Sequence, residues 1–336
     1  MIRISYILPI YNVAQYLPDC LDSLYAQDIP ESDFEVVCVI DGSPDNSKDI
    51  LINYKNKKHD NLVIIEQENM GVGKARNTGF DAAQGKYIWF VDPDDMISAN
   101  CIGTILNLMD ENNADVFEME FRPCEENSHN YQPVEGVAID GYNRFGSAGS
   151  GWLAVCLSSY LRNNEIRWNE ELSYGEDYLW AFQVKYRKNK SIFTKAPIYI
   201  YRQRENSAMH MKTDRAKSEK HISDLIKLNR IYEEEYIRCQ NENLSESALL
   251  NIRQRQHLCI ESALLGLLKL KLSKAELRTK LDSLVDRGVY PYPFMLWRFL
   301  DKNKTTPLKV QLFCFLFPLR SYYESVCALY RTIKRS

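Results

Sequence analysis

The chain has 336 residues, 45% of them hydrophobic, and a formal net charge of −3: enough apolar side chain for a sizeable core, and no cationic excess that would draw it to nucleic acid. Nine cysteines with no CxxC pair argue against zinc-ribbon and dithiol redox chemistry and read as buried, reduced thiols of a cytosolic protein. No run reaches the roughly 18 consecutive apolar residues of a membrane-spanning helix. The apolar N-terminus passes straight into Pro9, Tyr11 and Asn12, as a strand does and a signal peptide does not.

Strand and helix alternate from the start. Ile2 to Ile10 predicts a first strand, and Leu17, Leu21 and Leu24 give residues 16–27 a helical stripe. A second continuous apolar run covers Phe34 to Ile40, and a polar amphipathic helix covers Ile50 to Lys57. Leu62 to Ile65 predicts a third strand, Lys74 to Ala83 a third helix and Tyr87 to Val91 a fourth strand. Continuous apolar strands alternating with helices predict an α/β fold with a mostly parallel sheet covered on both faces. Such sheets bind ligands beyond the carboxyl ends of their strands. Three of those ends are chemically loaded: Pro9 to Asn12, Asp41 to Ser43 and Asp92 to Asp95.

Further along, Asp115 to Phe121 predicts another strand, and a polar segment runs on to Gly151. Helices are expected at Trp152 to Arg162 and Glu176 to Arg187, and a strand pair near Ile192 and Ile198 to Tyr201. After Lys212 the chain is charged and helical, with periodicity over residues 225–236 and 252–270 and a capping box at Ser273 and Glu276. A boundary near Thr213 divides a domain of residues 1–212 from a helical region of residues 213–336. From about residue 287 the C-terminal tail interleaves bases such as Arg287, Arg298 and Lys302 with aromatics such as Trp297 and Phe299. That pattern suits the surface of an anionic membrane, or equally a packed helix with a solvated basic face.

Asp92, Asp94 and Asp95 close a buried strand, where mutual repulsion raises carboxylate pKa values unless a cation answers it. Aspartates so spaced can offer oxygen ligands to Mg²⁺ or Mn²⁺, or simply make a polar turn around Pro93. Asp41 either caps a turn or accepts ring N–H groups of a nucleobase. Gly71 and Gly73 precede a helix whose N-terminus can meet phosphate, with Lys74 and Arg76 to neutralise a diphosphate. This is not a P-loop, because Glu68 stands where the first glycine belongs and Ala75 where Ser or Thr belongs. Glu176 and Asp177 open a helix, a place carboxylates also take for the macrodipole. Arg202, Arg204, His210 and Lys212 surround a polar turn, either a solvated loop or a mobile cationic lid over an anionic leaving group.

In this order, "SYILPIYN", "IDGSPDNS", "GVGKARNTGFDAAQGKYIWFVDPDD", "GED" at 175–177 and the Tyr201-Arg202 to Met209-His210 stretch resemble one family. The resemblance is to the inverting family-two nucleotide-sugar glycosyltransferases of GT-A fold, over roughly the first 210 residues. It implies a Rossmann-like GT-A catalytic domain. It implies that Asp41 accepts a base N–H, usually of uracil, and that the backbone of Pro9, Tyr11 and Asn12 cradles the nucleoside. It places Asp94 by the ribose or sugar, Asp94 or Asp95 on the metal, Arg76 near the donor and Asp177 as catalytic base. His210 would complete the metal shell, Arg202 and Arg204 would attend the leaving group, and Glu176 would give support. Read from the residues themselves, Trp152 and Trp168 either shape the acceptor site or, as a single Trp more often does, pack in the core. The implied cofactor is Mg²⁺ or Mn²⁺. The implied partners are a nucleotide-sugar donor and a saccharide or lipid-linked saccharide acceptor, met in the cytoplasm or at the inner face of the membrane. Ile40 and Pro93 depart from the family pattern. The QxxRW signature of processive synthases is absent, since Asn164 precedes Arg167-Trp168, so transfer of one sugar is expected. A nucleotidyltransferase and a non-catalytic nucleotide-sugar-binding relative are the competing readings.

Overall fold

The computed structural model describes residues 1–57, 59–142, 150–204 and 215–270, with 276 and 279. The chain divides into two compact units, Met1–Met211 and Lys212–Ser336.

In the first unit β1 (Ile4–Ile10), β2 (Phe34–Asp41), β3 (Leu62–Gln67) and β4 (Tyr87–Phe90) run parallel. They are joined by α1 (Leu17–Tyr25), α2 (Ser47–Asn56) and α3 (Val72–Ala82). Beyond β4 the sheet turns mixed. β4 meets β8 (Ala154–Leu157) antiparallel, and β8 meets β6 (Val116–Glu125) antiparallel. β6 then runs parallel to β9 (Ser191–Gln203), and β9 pairs antiparallel with β5 (Met96–Ile97) and β7 (Gly141–Tyr142). The spatial order is β3-β2-β1-β4-β8-β6-β9-β5, with β7 beside β9.

Every residue of β1, β2 and β4 is buried, which is why these strands read as unbroken apolar runs. The two-residue period then sorts them to two layers. Tyr6, Leu8, Val36, Cys38 and Trp89 pack with Leu17, Leu21 and Leu24 of α1 and with Ile102, Ile105 and Met109 of α4 (Ile102–Asn112). Ile7, Ile88 and Phe90 face the other way. They pack against Phe80 of α3, Tyr160 of α5 (Ser158–Asn163) and Trp180 and Val184 of α6 (Glu176–Tyr186). The result is a sheet between helical layers, with the C-terminal ends of four parallel strands on one rim.

Two expected elements differ. Trp152 to Arg162 is not one helix: a 3₁₀ turn at Gly151–Leu153 leads into strand β8 and then α5. A four-residue apolar run carries no period that separates strand from helix, and the open edge of β4 decides in favour of a strand. The expected pair near residues 192 and 198 is one 13-residue strand, β9. Lys195 and Pro197 break its apolar pattern, and its register with β6 shifts there.

The second unit contains α7 (Arg215–Asn241) and α8 (Glu246–Lys269), with the Ser245 side chain capping α8 by accepting from the Ala248 N–H. Leu225, Leu228 and Tyr232 of α7, and Ile252, Ile260 and Ala263 of α8, are buried. Asn229 and Gln256 donate to each other's backbone carbonyls at 3.1 and 3.3 Å. Among the described residues no helix is long and apolar enough to cross a membrane. Ser273, His210 and the tail from residue 287 lie outside the described residues. The seven described cysteines are free thiols, all but Cys124 buried.

Candidate active site

The loops that leave β1, β2 and β3 are stitched together at the rim. Asn12, in a left-handed conformation (φ 52°), donates its N–H to Ser43 Oγ at 2.8 Å. Asp45 accepts from the Ala14 N–H at 2.8 Å and from Ser43 Oγ at 2.7 Å. Burial works against its charge, but these bonds and those from Ser47 outweigh it and hold the carboxyl below its ordinary pKa. Asp41, at the tip of β2, is 3% exposed. Its Oδ1 accepts from Gln67 Nε2 at 2.7 Å and the Met70 N–H at 2.8 Å, and its Oδ2 from the Gly71 N–H at 2.9 Å. Three of about four acceptor positions on this carboxylate are thus taken by the chain itself. Gly71 has φ +93° with ψ 159°, a conformation open to glycine, which lets its N–H turn back to Asp41 before α3 begins. Tyr11 is half exposed beside this frame.

At the tip of β4 the chain turns sharply, the Asp95 N–H donating to the Asp92 carbonyl at 3.0 Å. The three carboxylates diverge. Asp95 is 1% exposed, and its oxygens accept from the Tyr199 hydroxyl and the Arg202 N–H, each at 2.8 Å. Burial first, then Asp94 and Asp92, push its pKa well up. Asp94 pairs with Arg204 at 2.6 Å, and the two side chains are 17% and 25% exposed. Burial and Asp92 raise its pKa while Arg204 opposes the rise. Asp92 pairs with Arg76 at 2.7 Å.

Arg202 does not stand beside Arg204 as a loop cation. It is 2% exposed, donating to the carbonyls of Asp94, Glu126 and Ser128 and to the Asp19 carboxylate at 2.6 to 3.0 Å. It is a strut within β9, because a guanidinium that close to four acceptors has no reason to leave. Trp152 likewise belongs to the core. Its ring stacks on Tyr199 at 4.3 Å and Tyr201 at 5.7 Å, and its carbonyl accepts from Trp89 Nε1 at 2.8 Å.

Arg76 gathers the remaining residues. Its Nη1 lies 3.3 Å from Asp177 and 3.6 Å from Glu176, and its Cζ is 4.0 Å from the Trp168 ring centroid. α3 and the segment carrying Trp168 come so close that a Cβ on Gly73 would sit 2.6 Å from the Asn169 carbonyl oxygen. Asp177 keeps its side chain 29% exposed, at the start of α6. Burial of its carboxyl pushes the pKa up to about 7; Arg76 pulls it down, and Glu176 and Asp92 push it up. A carboxylate poised near neutrality and still partly exposed is suited to taking a proton from a substrate hydroxyl. The pairing of Asp92 with Arg76, and the seat of Arg76 on Trp168, were not read from the sequence. The only signal was one more carboxylate at an already acidic strand end.

Among the described residues no three His, Cys, Asp or Glu side chains converge as a cation cage. Asp94, partly exposed and relieved at present by an arginine, offers the oxygen chemistry of a Mg²⁺ or Mn²⁺ site that shares its coordination with a diphosphate, for which one or two carboxylates suffice. Asp95 turns both oxygens inward and fits that task poorly.

A family model described as Glycosyl transferase family 2 matches residues 5–160, a span that holds Asp41, Arg76 and Asp92 to Asp95 and stops short of Asp177. The minor teichoic acid biosynthesis protein GgaB of Bacillus subtilis (strain 168) is 31% identical over 223 residues, 63% of this chain and 24% of GgaB, so this chain spans about a quarter of that relative's length. Glycosyltransferase GlyG of Streptococcus pneumoniae serotype 4 is 30% identical over 234 residues, covering 63% of this chain and 74% of GlyG. The crystal structure of S. aureus TarS 1–349 in complex with UDP-GlcNAc superposes with a TM-score of 0.58 at 22% identity, covering 80% of each chain. The fold is therefore of the GT-A type. With the family model on its strand-tip motifs and GlyG matched over most of its length, this chain belongs to glycosyl transferase family 2.

Proposed function

We propose that the chain moves one sugar from a nucleotide-sugar donor, a UDP-sugar, to a hydroxyl of a saccharide or lipid-linked saccharide acceptor during assembly of a cell-surface polymer. A name in teichoic acid biosynthesis for GgaB and the UDP-GlcNAc bound to TarS support the substrate classes. The observation that carries the reading is Asp177. Its carboxyl, on a side chain 29% exposed, lies across Arg76 from the acidic turn at the tip of β4, and burial raises its pKa to about 7.

Asp177 takes the proton of the acceptor hydroxyl as its oxygen attacks the anomeric carbon. The bond from that carbon to the diphosphate oxygen breaks with its electron pair, and nucleoside diphosphate leaves. One displacement inverts the anomeric configuration. The Pro9 to Asn12 segment and the remaining acceptor position of Asp41 face the nucleoside. Asp94 would hold Mg²⁺ or Mn²⁺, which supplies neutralisation of the charge on the departing diphosphate. Arg204 is the cation next to that carboxylate and serves the leaving group.

Asp177→Asn keeps the shape and removes the proton acceptor. It is expected to lower kcat by about 10²–10⁴-fold, with donor Kd changed less than about twofold. Product release and calorimetry read the two quantities, and turnover near the wild-type rate puts the base elsewhere. Pyrophosphate as the released product would instead identify a nucleotidyltransferase.

A further inference from the structure

The resemblance places Arg76 near the donor, and its guanidinium sits among three carboxylates. The residue is 4% exposed. Nη2 is held by Asp92 at 2.7 Å, and Nη1 lies 3.3 Å from Asp177 and 3.6 Å from Glu176. One flat side faces the Trp168 ring at 4.0 Å, and Trp168 stacks at 5.0 Å on Trp180, which belongs to the same helix as Asp177. Both terminal nitrogens are engaged and one face is covered; the buried Nε has no hydrogen-bond partner among the described residues. Three carboxylates already exceed the single positive charge, so a diphosphate arriving here would meet net repulsion.

We infer that Arg76 is a positioning residue: its planar fork sets the Asp177 carboxylate against Asp92 and balances its charge, and it makes no contact with the donor. The inference rests on Asp177 being the base. Among the described residues the charged groups facing Asp177 are Arg76 from α3, Asp92 from the turn after β4 and Glu176 from its own helix. Arg76 is the one cation among them. Without it, the base keeps its burial and two like-charged neighbours, and both act to hold the proton on. A lysine could answer one carboxylate but not fork between two, so the geometry asks for arginine.

The test compares pH profiles of kcat/KM for wild type, Arg76→Met, Arg76→Lys and Asp177→Asn, with donor Kd measured by calorimetry on each. For Arg76→Met the acid limb is expected to move up by roughly 1–3 pH units, so that the loss at neutral pH is recovered in alkali. Arg76→Lys should move the limb by less, and donor Kd should stay within about twofold in both variants. An unmoved limb with donor binding weakened about tenfold or more makes Arg76 a donor ligand and overturns the proposal. A uniform loss at every pH with the limb unmoved reduces it to a structural residue and also overturns it. If Arg76→Met does not fold, the limb and the donor Kd of Arg76→Lys decide between the same outcomes. A wild type that binds no sugar nucleotide, or an Asp177→Asn variant at full rate, locates the failure in the proposed reaction and not in Arg76.

Discussion

Three aspartates within four positions meet three different neighbours, and the difference can be measured. Asp95 answers two buried donors, the Tyr199 hydroxyl and the Arg202 N–H. Asp95→Ala strands both, at about 1–3 kcal/mol each, and should show as a lower urea midpoint. Among the described residues the Asp94 carboxylate pairs with Arg204, which is 25% exposed and can turn to water, so Asp94→Ala should cost about 1 kcal/mol or less. Its effect belongs to the cation: EDTA should abolish wild-type turnover and Mn²⁺ restore it, whereas Mn²⁺ should restore little in Asp94→Ala. Full wild-type activity in excess EDTA defeats that assignment. Asp177 sets the pH profile. Its pKa, raised to about 7, lies far above the roughly 3.9 of an unfolded aspartate. The active, ionised form is therefore lost as pH falls through 7, and kcat/KM should drop about tenfold per unit below that limb. The sign for stability is opposite to the common one. Between those two pKa values the folded chain holds a proton the unfolded chain has released, so this carboxyl makes stability decline as pH rises across the window. A pH series of unfolding midpoints should show that slope flattened in Asp177→Asn.

Whether an element could be read from the sequence depended on how far its partners lie along the chain. β1, β2 and β4 were legible because burial on both faces leaves unbroken apolar runs, and parallel strands put their loaded ends on one rim. β8 was not, because four apolar residues between a 3₁₀ turn and a short helix have no period of their own. The motif residues at the rim were legible as types, but their pairing was not. Arg76 is 16 residues from Asp92 and 101 from Asp177, and nothing local says that one guanidinium serves both. Trp152 shows the same limit. Beside a polar segment it resembles an acceptor platform, yet the length of β9 brings Tyr199 and Tyr201 against its ring. Trp152→Ala should therefore act through the core, costing about 3–5 kcal/mol in denaturant unfolding. Sugar-acceptor KM should be unchanged in the folded fraction, and an acceptor KM raised with stability intact would return Trp152 to the substrate.

At the scale of the whole chain, every described residue assigned to the donor, the cation or the base falls within the unit Met1–Met211. That unit contains the whole described sheet and the helices on both of its faces, and at this size a single domain buries about 70% or more of its unfolded surface. The α7–α8 hairpin has contacts of its own, with Asn229 bonded to Gln256, and Arg253 bonded to Glu233. GgaB, about four times as long as the matched share, shows that related sequence is carried within larger chains. A chain ending at residue 212 is therefore expected to unfold in one cooperative transition. It should bind the sugar nucleotide with a Kd within about threefold of the full chain, roughly 0.6 kcal/mol. Turnover with a small saccharide acceptor should survive as well, because the base and its three charged neighbours travel with this unit. Calorimetry on the shortened chain checks the first expectation and product release the second. Donor affinity weakened by more than about tenfold, in a fragment whose unfolding remains cooperative, would mean that residues beyond 212 build part of the donor site.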